Sequence, residues 1–377
     1  MTQKEYFGFG SIKFLKNILK EEKPNKIFLV TGKTSFKKSG AEKIILQYLQ
    51  NYNFIHFKTF SSIVLLNNVK KGILSFNKEK CDMVIAVGGG SVIDYAKLIN
   101  IFACQNSKIV DNIKKNKVIK NACKPLVAIP TTSGSGSEAT HFAVVYVDQK
   151  KFSVVSKYVL PKYSIIDPRF VESLSPILTA YSGMDALCQA IESYWSINST
   201  FSSRIHSKEA INLILQNLVK CVKNPTKKTR LSMAKASNLS GKAINITKTT
   251  APHAISYPLT YFFKIPHGQA VSLTLGEFFM FNRNVNKHNI TYINKLNNYS
   301  KIFSDLLDIL EVPDAISAKE KITKIMLDIN LKTRLSMFKI TVKDIPLILD
   351  NVNNERLRNN PRKISRRELE LMLIELV

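Results

Sequence analysis

The sequence predicts an α/β unit followed by an all-helical one, and three observations carry that expectation. Apolar, β-branched runs alternate with helical stretches through the first half. Two of those runs open into turns rich in glycine or in hydroxyl side chains. After about residue 170 the strand signals almost vanish while helical periodicity continues. The alternation implies a largely parallel sheet with helices on both faces.

Lys26 to Thr31 (KIFLVT) is a buried-strand pattern, ended by Gly32. Gly40 to Leu49 reads as a helix, Val84 to Val87 as the next strand, Ile93 to Ala103 as a helix and Leu126 to Ile129 as a strand. Phe142 to Val147 and Phe152 to Val155 flank Asp148-Gln149-Lys150-Lys151, which predicts a β-hairpin on the margin of the sheet. Tyr163 to Ile166 is a further short strand, stopped by Asp167-Pro168. Ala180 to Ser196, Ser207 to Val222, Leu231 to Thr250 and Tyr299 to Leu310 carry helical periodicity. The last helix begins with a capping box, Ser365 as N-cap and Glu368 three positions on, before Leu369 to Val377. The boundary is expected between Asp167 and Leu178, giving domains over 1–170 and 171–377 with an active site in the cleft between them.

A length of 377 residues suits two domains, and 45% apolar residues suffices for real cores. No apolar run reaches the roughly 18 residues of a membrane span. The start, Met1-Thr2-Gln3-Lys4-Glu5, lacks the apolar segment of a signal peptide. Five cysteines, scattered and without a Cys-x-x-Cys pair, read as reduced packing residues and point to the cytoplasm. The net charge of +27 is spread along the chain among many Asn and Ile residues rather than gathered in one arm. Without zinc-finger spacing, an RNA-binding aromatic signature or a basic heptad region, it predicts no nucleic-acid partner. The positive field still favours encounter with anionic ligands.

The chemistry sits in two stretches about forty residues apart, Val87-Gly88-Gly89-Gly90-Ser91-Val92-Ile93-Asp94-Tyr95-Ala96-Lys97 and Pro130-Thr131-Thr132-Ser133-Gly134-Ser135-Gly136-Ser137-Glu138. In the first, glycines let the backbone turn sharply and bring N–H groups to an anion at a helix N-terminus. The second is a small-residue loop dense in donors, suited to closing over a phosphate or a nicotinamide amide. Either alone could be an ordinary strand-to-helix turn. Together, in this order and spacing, they resemble the iron-containing (group III) alcohol dehydrogenases, NAD(P)-dependent enzymes built like dehydroquinate synthase and glycerol dehydrogenase. The resemblance continues through Ile166-Asp167-Pro168, Gly183-Met184-Asp185-Ala186-Leu187, Ile265-Pro266-His267-Gly268 and Asn359-Asn360-Pro361-Arg362. It implies a dinucleotide-binding N-terminal domain, an all-helical metal-binding and substrate domain, and at least a homodimer. A dehydroquinate synthase-like lyase is disfavoured, because Thr131-Thr132 leads into Ser133-Gly134-Ser135-Gly136-Ser137-Glu138 instead of that enzyme's lysine-bearing loop.

The resemblance implies that Gly88, Gly89, Gly90 and Ser91 hold the cofactor pyrophosphate, with Asp94 nearby and Thr131, Thr132 and Ser135 lining the pocket. On an ordinary helix Asp94 and Lys97 would instead be a solvated pair at i and i+3. Many NAD-preferring relatives carry Asp where this chain has Gly32, and that carboxylate would repel a 2′-phosphate. With Gly32 followed by Lys33, NADPH is favoured over NADH. Relatives hold a divalent metal with one Asp and three His. Here the matching positions are Asp185, Gln189 in place of a His at i+4, His253 and His267. Residues at i and i+4 share a helical face, so Asp185 and Gln189 can point at one ion. Fe²⁺ is favoured by resemblance, and Zn²⁺ fits the same donors. Tyr257 stands where relatives commonly carry a His implicated in proton transfer. A phenol, with an unperturbed pKa of about 10, is a poorer proton exchanger near neutrality and could instead only shape the pocket.

The segment from Gly241 to His253 is the most distinctive departure from ordinary members. At about 100° per residue, Lys242, Asn245, Thr249 and His253 fall on one helical face, with a kink at Pro252 able to shift the phase of His253, and read as an anion-binding wall beside the metal. The segment resembles that of the phosphonoacetaldehyde reductases, which implies reduction of phosphonoacetaldehyde to 2-hydroxyethylphosphonate, with Lys242, Asn245, Lys248 and Thr249 as substrate contacts and Arg204 as a further possible partner. The alternatives are a generic short-chain alcohol or lactaldehyde dehydrogenase, and lysines that are simply part of a lysine-rich surface.

Overall fold

The apolar runs beginning at 27, 83 and 126 form the centre of a parallel sheet in the computed structural model, which describes residues 3–59, 63–105, 109–114, 119, 121–292 and 296–377. The chain divides into two compact units, Met1–Leu174 and Ser175–Val377. In the first, the strands are β1 (Lys4–Phe7), β2 (Ile27–Gly32), β3 (Phe54–Thr59), β4 (Met83–Gly88), β5 (Leu126–Pro130), β6 (Phe142–Val147), β7 (Lys150–Val155) and β8 (Tyr163–Ile166). Six of them form one sheet in the order β1-β8-β5-β4-β2-β3, every neighbouring pair parallel. The helices of this unit are α1 (Phe14–Glu22), α2 (Ser35–Lys38), α3 (Ala41–Leu49), α4 (Leu66–Lys78), α5 (Gly90–Ala103) and α6 (Ile109–Lys114).

β2, β4 and β5 are buried along their whole length, which is why they read as unbroken apolar runs. Alternation divides their side chains between two cores: Phe28, Val30, Val84 and Ala86 on one face, Ile27, Leu29, Ile85 and Val87 on the other. The chain runs from β2 outward to β3, returns past β2 to β4, and then continues to β5 on the far side. The carboxyl ends of β2 and β4 are thus a topological switch point, the crevice where open α/β sheets take ligands.

β1 and β3, the two edges, are not apparent in the sequence. Their residues are half exposed and polar, so the apolar signal is diluted. The predicted hairpin forms, with Asp148 and Gln149 both at positive φ as a type I′ turn requires. It is not on the margin of the main sheet, however, but a separate two-stranded sheet. Tyr146 N donates to Val64 O at 2.7 Å and Val144 N to the Asp94 carboxylate at 3.0 Å, so β6 docks beside α4 and α5 instead of pairing with a sheet edge.

The second unit contains α7 (Pro176–Trp195), α8 (Phe201–Lys223), α9 (Lys227–Thr247), α10 (Ala251–Phe262), α11 (His267–Arg283), α12 (Leu296–Leu310), α13 (Ala315–Asp328), α14 (Ile345–Asp350), α15 (Asn354–Leu357) and α16 (Arg366–Glu375). One apolar core runs through it, with α7 at its centre. Side-chain caps mark several of the starts: Ser175, Thr200, Thr226 and Ser365 each accept an N–H of the first turn. The helix expected over Leu231 to Thr250 ends early, at Thr247. Lys248 takes φ 61° and ψ 179°, a region nearly closed to residues with a Cβ, and a new helix starts at Ala251 with Pro252 in its first turn. No helix among the described residues is long and apolar enough to cross a membrane.

Candidate cofactor and metal sites

The glycine turn and the hydroxyl-rich loop pack against each other in the first unit. Thr131 N donates to Gly88 O at 3.0 Å. A Cβ on Gly88 would meet Val92 at 2.6 Å, and one on Gly90 would meet Ser135 Oγ at 2.5 Å. A Cβ on Gly89 would lie 3.3 Å from Thr132. Glycine is therefore required where α5 begins, and the first N–H groups of that helix, together with half-buried Ser91, Thr132 and Ser135, form a cradle of donors. Thr131 Oγ1 is buried with no hydrogen-bond partner, so this cradle has donor capacity in excess of what the protein uses. The arrangement fits a pyrophosphate. Gly32 ends β2 at the switch point, and Ser35 Oγ occupies the space a Cβ there would take; Lys33 is exposed beside it.

Asp94 and Lys97 are not a solvated pair: both are buried. Asp94 accepts from Ser137 Oγ at 2.6 Å and from Val144 N at 3.0 Å, so it fixes the loop and the hairpin from behind the cradle. Lys97 Nζ donates to Ser137 O at 2.5 Å, Thr140 O at 2.8 Å, and Phe142 O at 3.0 Å, and lies 2.9 Å from Thr140 Oγ1. Burial pushes the Lys97 ammonium down to about 8, against the pull of Asp94 and Glu138. Burial likewise raises the Asp94 carboxyl, in opposition to Lys97 and its two donors.

In the second unit Asp185, His253 and His267 converge, their ligand atoms all within 4.8 Å of one another. His253 Nε2 stands 3.4 Å from Asp185 Oδ1, and His267 Nε2 stands 3.9 Å from the same oxygen. Donors about 2.0–2.1 Å from a shared tetrahedral ion lie about 3.4 Å apart, so this trio is close to ligating geometry. Asp185 Oδ1 is buried without a hydrogen-bond partner, the orphan acceptor that a cation would satisfy. His267 is the open member, its side chain 34% exposed against 5% for His253. Burial works to raise the Asp185 carboxyl, but the close approach of the His253 imidazole and the charges of His267 and His253 hold it below the ordinary value. Burial also opposes a charged His253, yet Glu192 and Asp185 on either side raise it to about 10. Both shifts express an excess of carboxylate that a divalent ion would relieve. The donor set fits one.

Glu192, about two helical turns beyond Asp185, carries no sequence signal, since a Glu on a helix ordinarily reads as solvated. It is fully buried on α7. Its carboxylate accepts the His253 Nδ1 proton in a short contact, and also accepts Thr250 N at 2.6 Å and Thr250 Oγ1 at 2.9 Å. His253 Nδ1 therefore donates, leaving Nε2 for the Asp185 side, as in metal sites whose imidazoles lean on a carboxylate. Gln189 is buried on the same face of α7 as Asp185, with its Oε1 3.2 Å from Ser240 Oγ. Tyr257 is buried and stacks on His267, ring centroids 6.0 Å apart. Gly268 lets α11 start against α7: a Cβ there would overlap the Tyr181 carbonyl.

The anion wall is not assembled as expected. The break at Lys248 means that no single helix carries Lys242, Asn245, Thr249 and His253, so their helical phase is lost. Within α9, Lys242 lies two residues past Ser240, about 200° round the helix from the hydroxyl that meets Gln189, and Asn245 about 140° round. Both are half-buried. Lys248 Nζ pairs with Glu355 at 2.6 Å, and Thr249 is buried in the turn with its carbonyl bound by Asn359. Arg204 donates to Ser199 Oγ at 3.2 Å.

Comparison with known proteins identifies the family. Residues 2–168 match the iron-containing alcohol dehydrogenase family and residues 179–376 the C-terminal part of the Fe-containing alcohol dehydrogenase family. The long-chain-alcohol dehydrogenase 1 of Geobacillus thermodenitrificans is 29% identical over 93% of this chain and 89% of its own. The NADPH-dependent butanol dehydrogenase of Clostridium saccharobutylicum is 33% identical over 74% of this chain and 72% of its own. The crystal structure of sulfoacetaldehyde reductase from Bifidobacterium kashiwanohense in complex with NAD⁺ superposes with a TM-score of 0.86 at 28% identity, covering 99% of this chain and 96% of that one. The chain belongs to the iron-containing alcohol dehydrogenase family, whose members are metal-dependent, NAD(P)-linked oxidoreductases.

Proposed function

We propose that this enzyme reduces a small aldehyde to its primary alcohol, with Asp185, His253 and His267 as metal ligands and Gly88, Gly89, Gly90, Ser91, Thr131, Thr132 and Ser135 as the cofactor cradle. The observation that carries the reading is the buried Asp185 Oδ1, which has no hydrogen-bond partner, with the Nε2 atoms of two imidazoles 3.4 and 3.9 Å from it. When bound, the nicotinamide supplies a hydride and the divalent ion supplies Lewis acidity at the carbonyl oxygen. Glu192 holds His253 in one tautomer, Asp94 and Lys97 hold the loop over the cradle, and Tyr257 holds the His267 ring by stacking. Fe²⁺ is the ion of choice by family, with Zn²⁺ compatible with the donors. Gly32 and Lys33 support NADPH over NADH, since no carboxylate stands there to meet the adenosine ribose.

The finer proposal is phosphonoacetaldehyde as the aldehyde. It is supported by the net charge of +27 and by the similarity to a reductase of another two-carbon aldehyde that carries an acidic group. Lys248, already paired with Glu355, is withdrawn from the set of substrate contacts. The broken helical face favours a second reading, a generic short-chain alcohol or lactaldehyde dehydrogenase. NADPH and NADH oxidation with a panel of aldehydes, each with and without a phosphonate, separates them. A phosphonate that fails to raise kcat/KM makes the generic enzyme the better description. A cytoplasmic homodimer completes the proposal, and the mass in solution by light scattering tests its oligomeric part.

A further inference from the structure

The turn between α9 and α10 is held by a residue far along the chain. Lys248 sits there at φ 61° and ψ 179°, a conformation that glycine adopts easily and lysine does not. Asn359 Nδ2 donates to Thr247 O at 2.7 Å and to Thr249 O at 2.9 Å, the two carbonyls that flank Lys248. Its amide oxygen accepts from Asn198 Nδ2 at 2.7 Å, so every polar atom of this buried side chain is engaged. The Lys248 ammonium pairs with Glu355, on the same C-terminal segment, at 2.6 Å. Directly after the turn, Thr250 N and Oγ1 bind Glu192, and Glu192 takes the Nδ1 proton of His253. A regular continuation of α9 would carry Thr250 away from that carboxylate.

We infer that Asn359 is a positioning residue for the metal-binding imidazole: it clamps the strained turn at Lys248 and so seats Thr250, Glu192 and His253. This rests on the reading of Asp185, His253 and His267 as metal ligands. Nothing in the motif that carries Asn359 announces the role, because its partners lie more than a hundred residues upstream.

The test uses the full chain and Co²⁺ as probe, with affinity read by competition against a chelating dye and ligand geometry read from the visible d–d spectrum. Asn359→Asp keeps the size and removes both donors; Asn359→Ala is the second variant should the first fold poorly. Each is expected to bind Co²⁺ at least about tenfold more weakly, the range for lost support behind a ligand, with an altered spectrum. Leu373→Ala, in the same unit on α16, is the control for general destabilisation and is expected to leave affinity and spectrum unchanged. Lys248→Gly removes the need for a clamp. Added to Asn359→Ala it is expected to restore most of the lost affinity, and to raise the melting temperature of the metal-free protein more in that background than in the wild type. Unchanged Co²⁺ binding in both Asn359 variants, or a loss that Lys248→Gly neither rescues nor couples to in melting, overturns the inference. A wild-type chain that binds no Co²⁺ overturns the metal reading instead, and the melting coupling of positions 248 and 359 then decides the clamp alone.

Discussion

The Ser240 hydroxyl has one proton and two acceptors in reach, Ser237 O at 2.9 Å and Gln189 Oε1 at 3.2 Å. The Gln189 amide oxygen faces Ser240 and its N–H₂ faces Asp185, where it helps hold that carboxyl low, so an oxygen ligand at 189 requires the amide to flip. Two oxygens facing each other repel unless a cation lies between them, so the orientation of this amide depends on the ion. An amide oxygen is nonetheless a far weaker ligand than an imidazole. Gln189→Ala is therefore expected to lower divalent-ion affinity by less than about tenfold, and His267→Ala by at least about a hundredfold, in chelator competition. Gln189→His should bind Zn²⁺ more tightly than the wild type. His253→Ala carries an added cost, since it strips the buried Glu192 of a partner, and its melting temperature should fall further than that of His267→Ala. At the other site, Gly32→Asp should raise KM for NADPH much more than for NADH, because a new carboxylate facing a 2′-phosphate costs about 1–3 kcal/mol. The Ser35 hydroxyl must move for any side chain at 32, so Gly32→Ala is the proper reference. Equal losses for both cofactors relative to Gly32→Ala would remove position 32 from the ribose.

Two helix starts do the positioning, and each depends on a contact that its sequence only partly declares. α11 begins with His267-Gly268 because a Cβ at 268 would overlap the Tyr181 carbonyl of α7, so Gly268→Ala must push one helix from the other. Overpacking of this kind costs about 1–3 kcal/mol. The expected result is a lower melting temperature together with weakened metal binding, because the displaced residue is the neighbour of a ligand. α5 carries Lys97, whose ammonium joins three carbonyls of the loop and hairpin. Lys97→Met fills the space but orphans those acceptors, at about 1–3 kcal/mol for a buried group left unpaired, and should raise the dissociation constant for NADPH with little effect on Co²⁺ binding. The contrast between these elements shows what is legible in advance. β2, β4 and β5 are buried on both faces and announce themselves, and the Asp185, His253, His267 trio follows from spacing within a resemblance. The edges β1 and β3 are half polar, Glu192 looks like any solvated helix carboxylate, and the break after Thr247 falls on a lysine instead of a glycine. Each of those is fixed by partners distant in the chain, which local periodicity does not register.

At the scale of the whole molecule the dominant feature is charge: 55 Lys and Arg against 28 Asp and Glu. Several of these cations form exposed pairs, such as Lys4 with Glu21 and Arg366 with Asp350, which contribute little to stability. Their summed field still acts on any anion approaching through water. Its reach is set by salt, about 30 Å at 0.01 M and about 3 Å at 1 M ionic strength. This gives a test that separates steering from recognition. If only the general field draws in an anionic aldehyde, kcat/KM for phosphonoacetaldehyde should fall steeply from low to high salt and converge on that of a neutral aldehyde of similar size. If a half-buried cation such as Lys242 binds the phosphonate directly, a preference for the charged substrate should survive at high salt, because a partly buried pair is screened far less. Lys242→Ala should then abolish what remains of the preference while leaving the low-salt slope nearly intact, since one charge in +27 is a small part of the field. Measuring both aldehydes at saturating NADPH keeps cofactor binding, itself salt-dependent, out of the comparison. A salt slope equal for charged and neutral aldehydes would mean that the general field of this protein has no part in substrate capture.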